Sequence, residues 1–179
     1  MSMVQQVILN ADEELRYPSP GELRMIRSFC HTGAERIRLA KVLEQEAPII
    51  VARGTSKFWQ ICPRTPSNSG NRQKTEAAKR DMGWYLRLVS YCLIAGSDRP
   101  LREIGLLGMK ELYTSVGIPL DNILQYLRCL RAEIALLIPA DDAAEILPYF
   151  DQIIQVLVKP GPSYFGLKAG DKALNAKAA

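Results

Sequence analysis

Nowhere in this chain do apolar and polar residues alternate over the length of a strand. Instead they recur three and four residues apart, which is the period of a helix. This excludes a sheet protein and requires helices packed on helices. SPGE at 19–22 opens one such helix with a capping box: Ser19 as N-cap, a proline at the first helical position and Glu22 two residues later. Leu23, Ile26 and Cys30 follow at helical spacing. TGAE at 32–35 reads as a second capping box, opening a helix whose face is marked by Ile37, Ala40, Leu43 and Ala47. Pro48 is expected to interrupt it, with helix resuming through IIVARGTSKFWQI and Gly54 a weak point. CPRTPSNSGNRQ at 62–73 is a loop. Thr75 is placed to cap the next helix, which runs to about Ala95 and stops at GSDRP. Short helices follow in LREIGLL and in GMKELYTSV, the latter closed by Gly117. A long helix then carries Ile123, Leu127, Leu130 and Ile134 on one stripe, and a last one has acids in its first turn and an expected kink at Pro148. With a first helix ending near Tyr17, the expectation is an all-α protein of seven to nine helices.

A chain of 179 residues can bury one real core. It has no apolar run near the roughly 20 residues that span a bilayer. Its first residues lack a basic region followed by an apolar stretch, so a cytosol-like compartment is expected. The four cysteines, Cys30, Cys62, Cys92 and Cys129, form no CxxC pair, which argues against a disulfide framework or zinc site. Cys30, Cys92 and Cys129 fall on apolar helical faces, where a thiol acts as a small hydrophobe. No phosphate loop, paired-histidine motif or Ser–His–Asp set supports an enzyme. Net charge is +4, but from Arg53 to Arg87 eight basic residues face two acids, Glu76 and Asp81. Such a cluster suits either an anionic partner or a solvated loop.

The stretch TEAAKRDMGWYLRLVSY at 75–91 concentrates this chemistry. Asp81, Trp84, Tyr85 and Leu88 share one helical face, flanked by Lys79 and Arg80. One reading is an exposed first turn followed by a core-facing aromatic stripe. The other is a pocket for a flat, conjugated, anionic ligand. Aromatic rings would stack on it, cations would pair its carboxylates, and a carboxylate would accept bonds from ring N–H groups. An open-chain tetrapyrrole needs all three groups.

The segment RDMGWYLRLVSYCLIAGSDRPLREIGLLGMKELYTSVGIPLDNI resembles the α-type allophycocyanin subunits of the phycobiliproteins. The likeness extends upstream through ILNADEELRYPSPGELRMIRSF and downstream through DDAAEILPYFDQII. It covers residues 1–158 as one domain and leaves 159–179 as a C-terminal extension, in which Tyr164 and Phe165 are candidate partner anchors. The resemblance implies a globin-like helical fold with an N-terminal helical hairpin over 1–30 that packs on a β-type allophycocyanin subunit. The apolar Val4, Val7, Ile8 and Leu15 fit such a contact. It also implies a light-harvesting role, peripheral to the thylakoid membrane, with a bilin, phycocyanobilin, passing excitation toward chlorophyll. By this resemblance Asp81 bonds the inner pyrrole nitrogens, Arg80 pairs a propionate, Trp84 and Tyr85 form the aromatic pair, and Tyr113 borders the far ring. Lys79, Arg72, Lys74 and Met109 complete the expected surroundings.

Two departures stand out. The family's bilin-attaching cysteine precedes that aspartate by three residues, and here the position holds Ala78. The bilin is then held non-covalently, or Cys62 in the ICPRTP loop attaches it, or the subunit is structural and carries none. Trp84 stands where a tyrosine is common, which suggests a clamp on the outer ring and absorption further to the red. Two readings compete. A haem-binding sensor globin would need a deep ligand, and His31 is badly placed for that. Nucleic-acid binding through Lys57, Phe58, Trp59 and Arg64 has no accompanying motif.

Overall fold

The computed structural model describes residues 3–106 and 108–158. Among these there is no strand. The helices are α1 (Met3–Glu13), α2 (Pro20–His31), α3 (Gly33–Ile61), α4 (Arg72–Ala95), α5 (Met109–Ser115), α6 (Leu120–Leu137) and α7 (Ala140–Val158). A 3-10 turn at Pro66–Asn68 and a π-helical turn at Leu101–Gly105 complete the chain path. The expectation of an all-α fold therefore holds.

The core lies where α3, α4, α6 and α7 meet. Leu43 and Ile50 on α3, Leu88 and Val89 on α4, Leu130 and Ile134 on α6 and Phe150 on α7 are all fully buried. Two glycines mark close approaches. A Cβ at Gly54 would lie 2.7 Å from Leu130 Cδ2, so α3 and α6 touch nearly backbone to side chain. Likewise, a Cβ at Gly105 would overlap the Leu88 side chain. Gly54 thus serves as the contact point of α3, and its poor intrinsic helix propensity is outweighed by the packing it allows.

Several local expectations change. Pro48 does not interrupt α3, which runs unbroken for 29 residues. The proline removes one backbone hydrogen bond. Burying Leu43 and Ile50 on either side contributes about 1.5–3 kcal/mol each, enough to carry the helix through. Thr32 stands at the N-cap of α3 as expected, but the capping box does not form: its hydroxyl donates back to the carbonyls of Ser28 (3.1 Å) and Phe29 (3.4 Å), and no side-chain bond caps α3. Arg36 reinforces this corner, donating to the Phe29 carbonyl at 2.8 Å while its guanidinium lies 3.9 Å from the Phe29 ring centre. Asn71, not Thr75, caps α4 by accepting from the Lys74 N–H at 3.1 Å. Cys92 and Cys129 are buried as expected, but Cys30 is exposed, because among the described residues none of α2 is fully buried.

The capping box at Ser19 does form. The Glu22 N–H donates to Ser19 Oγ at 3.3 Å and the Ser19 N–H donates to the Glu22 carboxylate at 2.7 Å. Arg16 also bonds that carboxylate at 2.7 Å and, with the Ser19 bonds, holds the Glu22 carboxyl down at about 2. The chain before it leaves helix at Glu13, short of the expected Tyr17, and turns through Leu15 at φ 50. Val7 and Ala11 of α1 pack inward, whereas Ile8 and Leu23 stay more than half exposed and Leu15 is 93% exposed. Among the described residues the hairpin therefore keeps an uncovered apolar face.

The close approach at Gly54 gives a stability test. Gly54→Ala forces Leu130 aside, an overpacking cost of about 1–3 kcal/mol that exceeds the helix-propensity gain of roughly 1 kcal/mol. The urea midpoint should fall, with the slope unchanged.

Candidate functional site

The helix that carries the candidate residues divides its face by period. Met82, Tyr85, Leu86 and Val89 of α4 point into the core. Ala77, Ala78 and Asp81 instead line a cavity of about 350 Å³. Its opposite walls come from Thr65, Pro66 and Ser67 of the α3–α4 loop, from the turn Val116–Ile118, and from Asn122, Ile123 and Tyr126 of α6. A second cavity of about 250 Å³ is lined by Asp81, Trp84, Met109, Leu112 and Tyr113. Asp81 borders both. The result is an elongated cleft along α4 with one carboxylate at its middle. From Lys74 to Trp84 it follows ten residues of helix, roughly 15 Å.

The Asp81 carboxylate is 40% exposed, and Arg80, itself 73% exposed, approaches it only to 3.5 Å. A long, solvated pair of this kind holds little energy. The carboxylate is thus free to accept bonds from a ligand in the cleft. Behind it, the phenols of Tyr85 and Tyr113 hydrogen-bond at 2.9 Å and tie α5 to α4. Burial pushes both phenols above the ordinary range, so both are neutral and firmly in place. Trp84 meets Tyr85 edge to face at 5.1 Å and fronts the cavity on the Met109 side. At the other end Phe58 and Tyr126 stack at 4.6 Å with planes 4° apart, giving the 350 Å³ cavity an aromatic floor. Thr55 bonds the Tyr126 hydroxyl, and burial pushes that phenol up to about 12.

The structure brings together Asp81, Trp84, Tyr113, Met109 and Lys74 in the cleft, with Tyr85 directly behind. It does not bring in the rest of the expected set. Lys79 and Arg80 line a different groove of about 710 Å³ between α3 and α4, where Lys79 lies 3.5 Å from Glu76. Arg72 is exposed at the first residue of α4 and lines neither cavity. Cys62 lines a separate cavity of about 480 Å³ with Leu124, Arg128 and Leu157. Ala78, by contrast, sits inside the 350 Å³ cavity, one helical turn before Asp81. The wall residues Thr65, Ser67, Asn122 and Tyr126 escaped the sequence reading, and Phe58 entered it only as a candidate for base stacking. Their only common signal is that they are brought together by packing.

The rival sites fare differently. His31 is exposed at the end of α2 and lines none of these cavities. Phe58 is buried against Tyr126 and so is not presented for base stacking, and the half-buried Trp59 donates its indole N–H to Ser67. Among the described residues no cluster of His, Cys, Asp and Glu could hold a metal ion, and no helix is long and apolar enough to cross a membrane.

Helices around one core, with a long carboxylate-bearing cleft along a central helix, define an all-α, globin-like ligand-binding protein. The family model of the phycobilisome proteins matches residues 6–157. The allophycocyanin alpha-B chain of Cyanophora paradoxa is 40% identical over 161 residues, covering 88% of this chain and 99% of that one. That of a Synechococcus species is 44% identical over 159 residues, covering 87% and 97%. The allophycocyanin alpha chain of Porphyra purpurea is 40% identical over 154 residues, covering 84% and 96%. This chain belongs to the phycobilisome protein family and is an allophycocyanin α-type phycobiliprotein.

The buried phenols set an alkaline limit. Tyr126 binds its proton up to about pH 12 when folded, against the ordinary value of 10 for an exposed phenol. The raised value contributes stability that is fully present below pH 10 and is lost as pH rises toward 12. Tyr85 and Tyr113 act in the same direction. Unfolding free energy measured in urea should fall above pH 10, and Tyr126→Phe should flatten that fall.

Proposed function

We propose that this chain is a light-harvesting antenna subunit that binds an open-chain tetrapyrrole, phycocyanobilin, in the cleft along α4. The observation that carries the reading is the position of Asp81, whose weakly paired carboxylate borders both halves of an elongated, largely apolar cavity. The bound pigment supplies absorption of red light and excitation transfer to neighbouring pigments. The chain's residues bind it and hold its shape. Asp81 accepts hydrogen bonds from the pyrrole N–H groups and favours their protonated form. Lys74, at the rim of the 350 Å³ cavity, is the cation best placed for a propionate. Arg80, next to Asp81, reaches one by turning its exposed side chain. Trp84, Met109 and Tyr113 bound the other end and keep the outer ring close to the plane of the rest.

With alanine at 78 no thioether forms at that position. Since Cys62 lines a different cavity, the geometry favours non-covalent binding over attachment at Cys62. The clamp at Trp84 lengthens the effective conjugation and moves absorption to the red, toward far-red light. The uncovered apolar face of α1 and α2 supports pairing with a β-type allophycocyanin subunit through the hairpin of residues 1–30. The assembled antenna then lies on the cytoplasmic face of the thylakoid membrane and delivers its energy to chlorophyll. Residues 159–179, with Tyr164 and Phe165, lie outside the described residues; we assign them to contacts in that assembly.

Acid–urea denaturation of the purified protein, read by gel fluorescence, tests the reading. Pigment should be present and should leave the chain; fluorescence that stays on the chain would establish a covalent link. Asp81→Asn should lower pigment content and shift the long-wavelength band; an unaltered spectrum would remove Asp81 from the mechanism. Trp84→Phe should move the band toward the blue without loss of pigment, and a stationary band would remove the clamp.

A further inference from the structure

One residue of the cleft wall makes more contacts than a loop serine needs. Ser67 lies in the loop between α3 and α4, in the 3-10 turn Pro66–Asn68, and is 8% exposed. Its hydroxyl accepts the Trp59 indole N–H at 3.1 Å and shares a hydrogen bond with the Thr65 hydroxyl, also at 3.1 Å. Its carbonyl accepts from the Thr75 hydroxyl at 2.7 Å. Trp59 belongs to α3 and Thr75 to α4, so a single residue fastens the loop to both helices. Thr75 precedes Ala78 by one turn, and Thr65, Pro66 and Ser67 wall the same cavity as Ala78 and Asp81. The fastened loop closes the cleft at the position where a covalent link to the chain is missing.

We propose that Ser67 is a positioning residue that retains the pigment: its bonds to Trp59 and Thr75 hold the loop shut over the Ala78 end of the cleft and set the rate at which a non-covalently bound bilin leaves. The inference rests on the bilin-binding reading above. A covalently tethered ligand needs no such closure, because loop opening cannot release it. An untethered one escapes whenever the loop opens, and the opening frequency depends on the bonds that must break together. Ser67 is suited to this because its partners lie on two different helices. By comparison, the Ser69 hydroxyl donates to the Pro66 carbonyl at 2.7 Å, a bond within the loop itself that fastens it to nothing else.

The test uses the full chain loaded with phycocyanobilin, with release followed by transfer of pigment to excess serum albumin. Ser67→Ala and Thr75→Val should each speed release by at least about fivefold, the factor that one neutral hydrogen bond supplies. Ser69→Ala should release at the wild-type rate. In the bilin-free chain, amide hydrogen exchange of residues 62–71 should quicken in Ser67→Ala and Thr75→Val and not in Ser69→Ala. Unchanged release from pigment-bearing Ser67→Ala and Thr75→Val overturns this proposal alone, and so does equal acceleration in Ser69→Ala. A wild-type chain that takes up no bilin, or that keeps it through acid–urea, overturns the non-covalent pigment reading and this proposal with it.

Discussion

The seating of α4 is the constraint on which the site depends. One face of this helix is buried against α3 and α7 through Leu86, Val89 and Leu93, while the adjacent face supplies Ala78 and Asp81 to the cleft. Both faces follow from the 3.6-residue period, so neither can turn without disturbing the other. Leu88 adds a second lock where Gly105 lets the π-helical turn come directly against it. With α4 fixed in this way, Asp81 is held at the junction of two cavities by core packing, and its own side chain is spared a strong ion pair.

Such an arrangement solves a problem specific to ligand cavities. A carboxylate placed among apolar walls is costly unless something bonds it. Here the cost is limited because the group remains 40% exposed. Buried hydroxyls around the cleft are instead satisfied within the protein: Tyr85 with Tyr113, Thr55 with Tyr126, Thr65 with Ser67. Hydrogen-bonded phenols and hydroxyls thus line a cleft whose one carboxylate, Asp81, is only weakly paired.

The N-terminal hairpin follows the opposite logic. Among the described residues none of α2 is fully buried, yet its start is fixed by the Ser19–Glu22 box and by Arg16. A helix so carefully terminated and so poorly covered is built for an external surface. This explains why Cys30 and Leu23, which the apolar pattern would place inside, are exposed.

The sequence by itself determined the helices, their approximate limits and the face of α4 that matters, because helical periodicity and capping chemistry are local. It also marked Asp81, Trp84 and Tyr113, through the charge and aromatic content of one stretch and its likeness to a known family. It misjudged Pro48, where burial of Leu43 and Ile50 outweighs local propensity, and the capping bond of Thr32, whose hydroxyl turns back to α2. Only the tertiary structure decided that Lys79 faces a different groove, that Cys62 lines a different cavity, and that Phe58, Ser67 and Tyr126 complete the cleft. These residues are far apart in the chain and carry no local mark. Their roles arise when α3 and α6 close on each other at Gly54 and Leu130, a contact between residues 76 positions apart that no local pattern encodes.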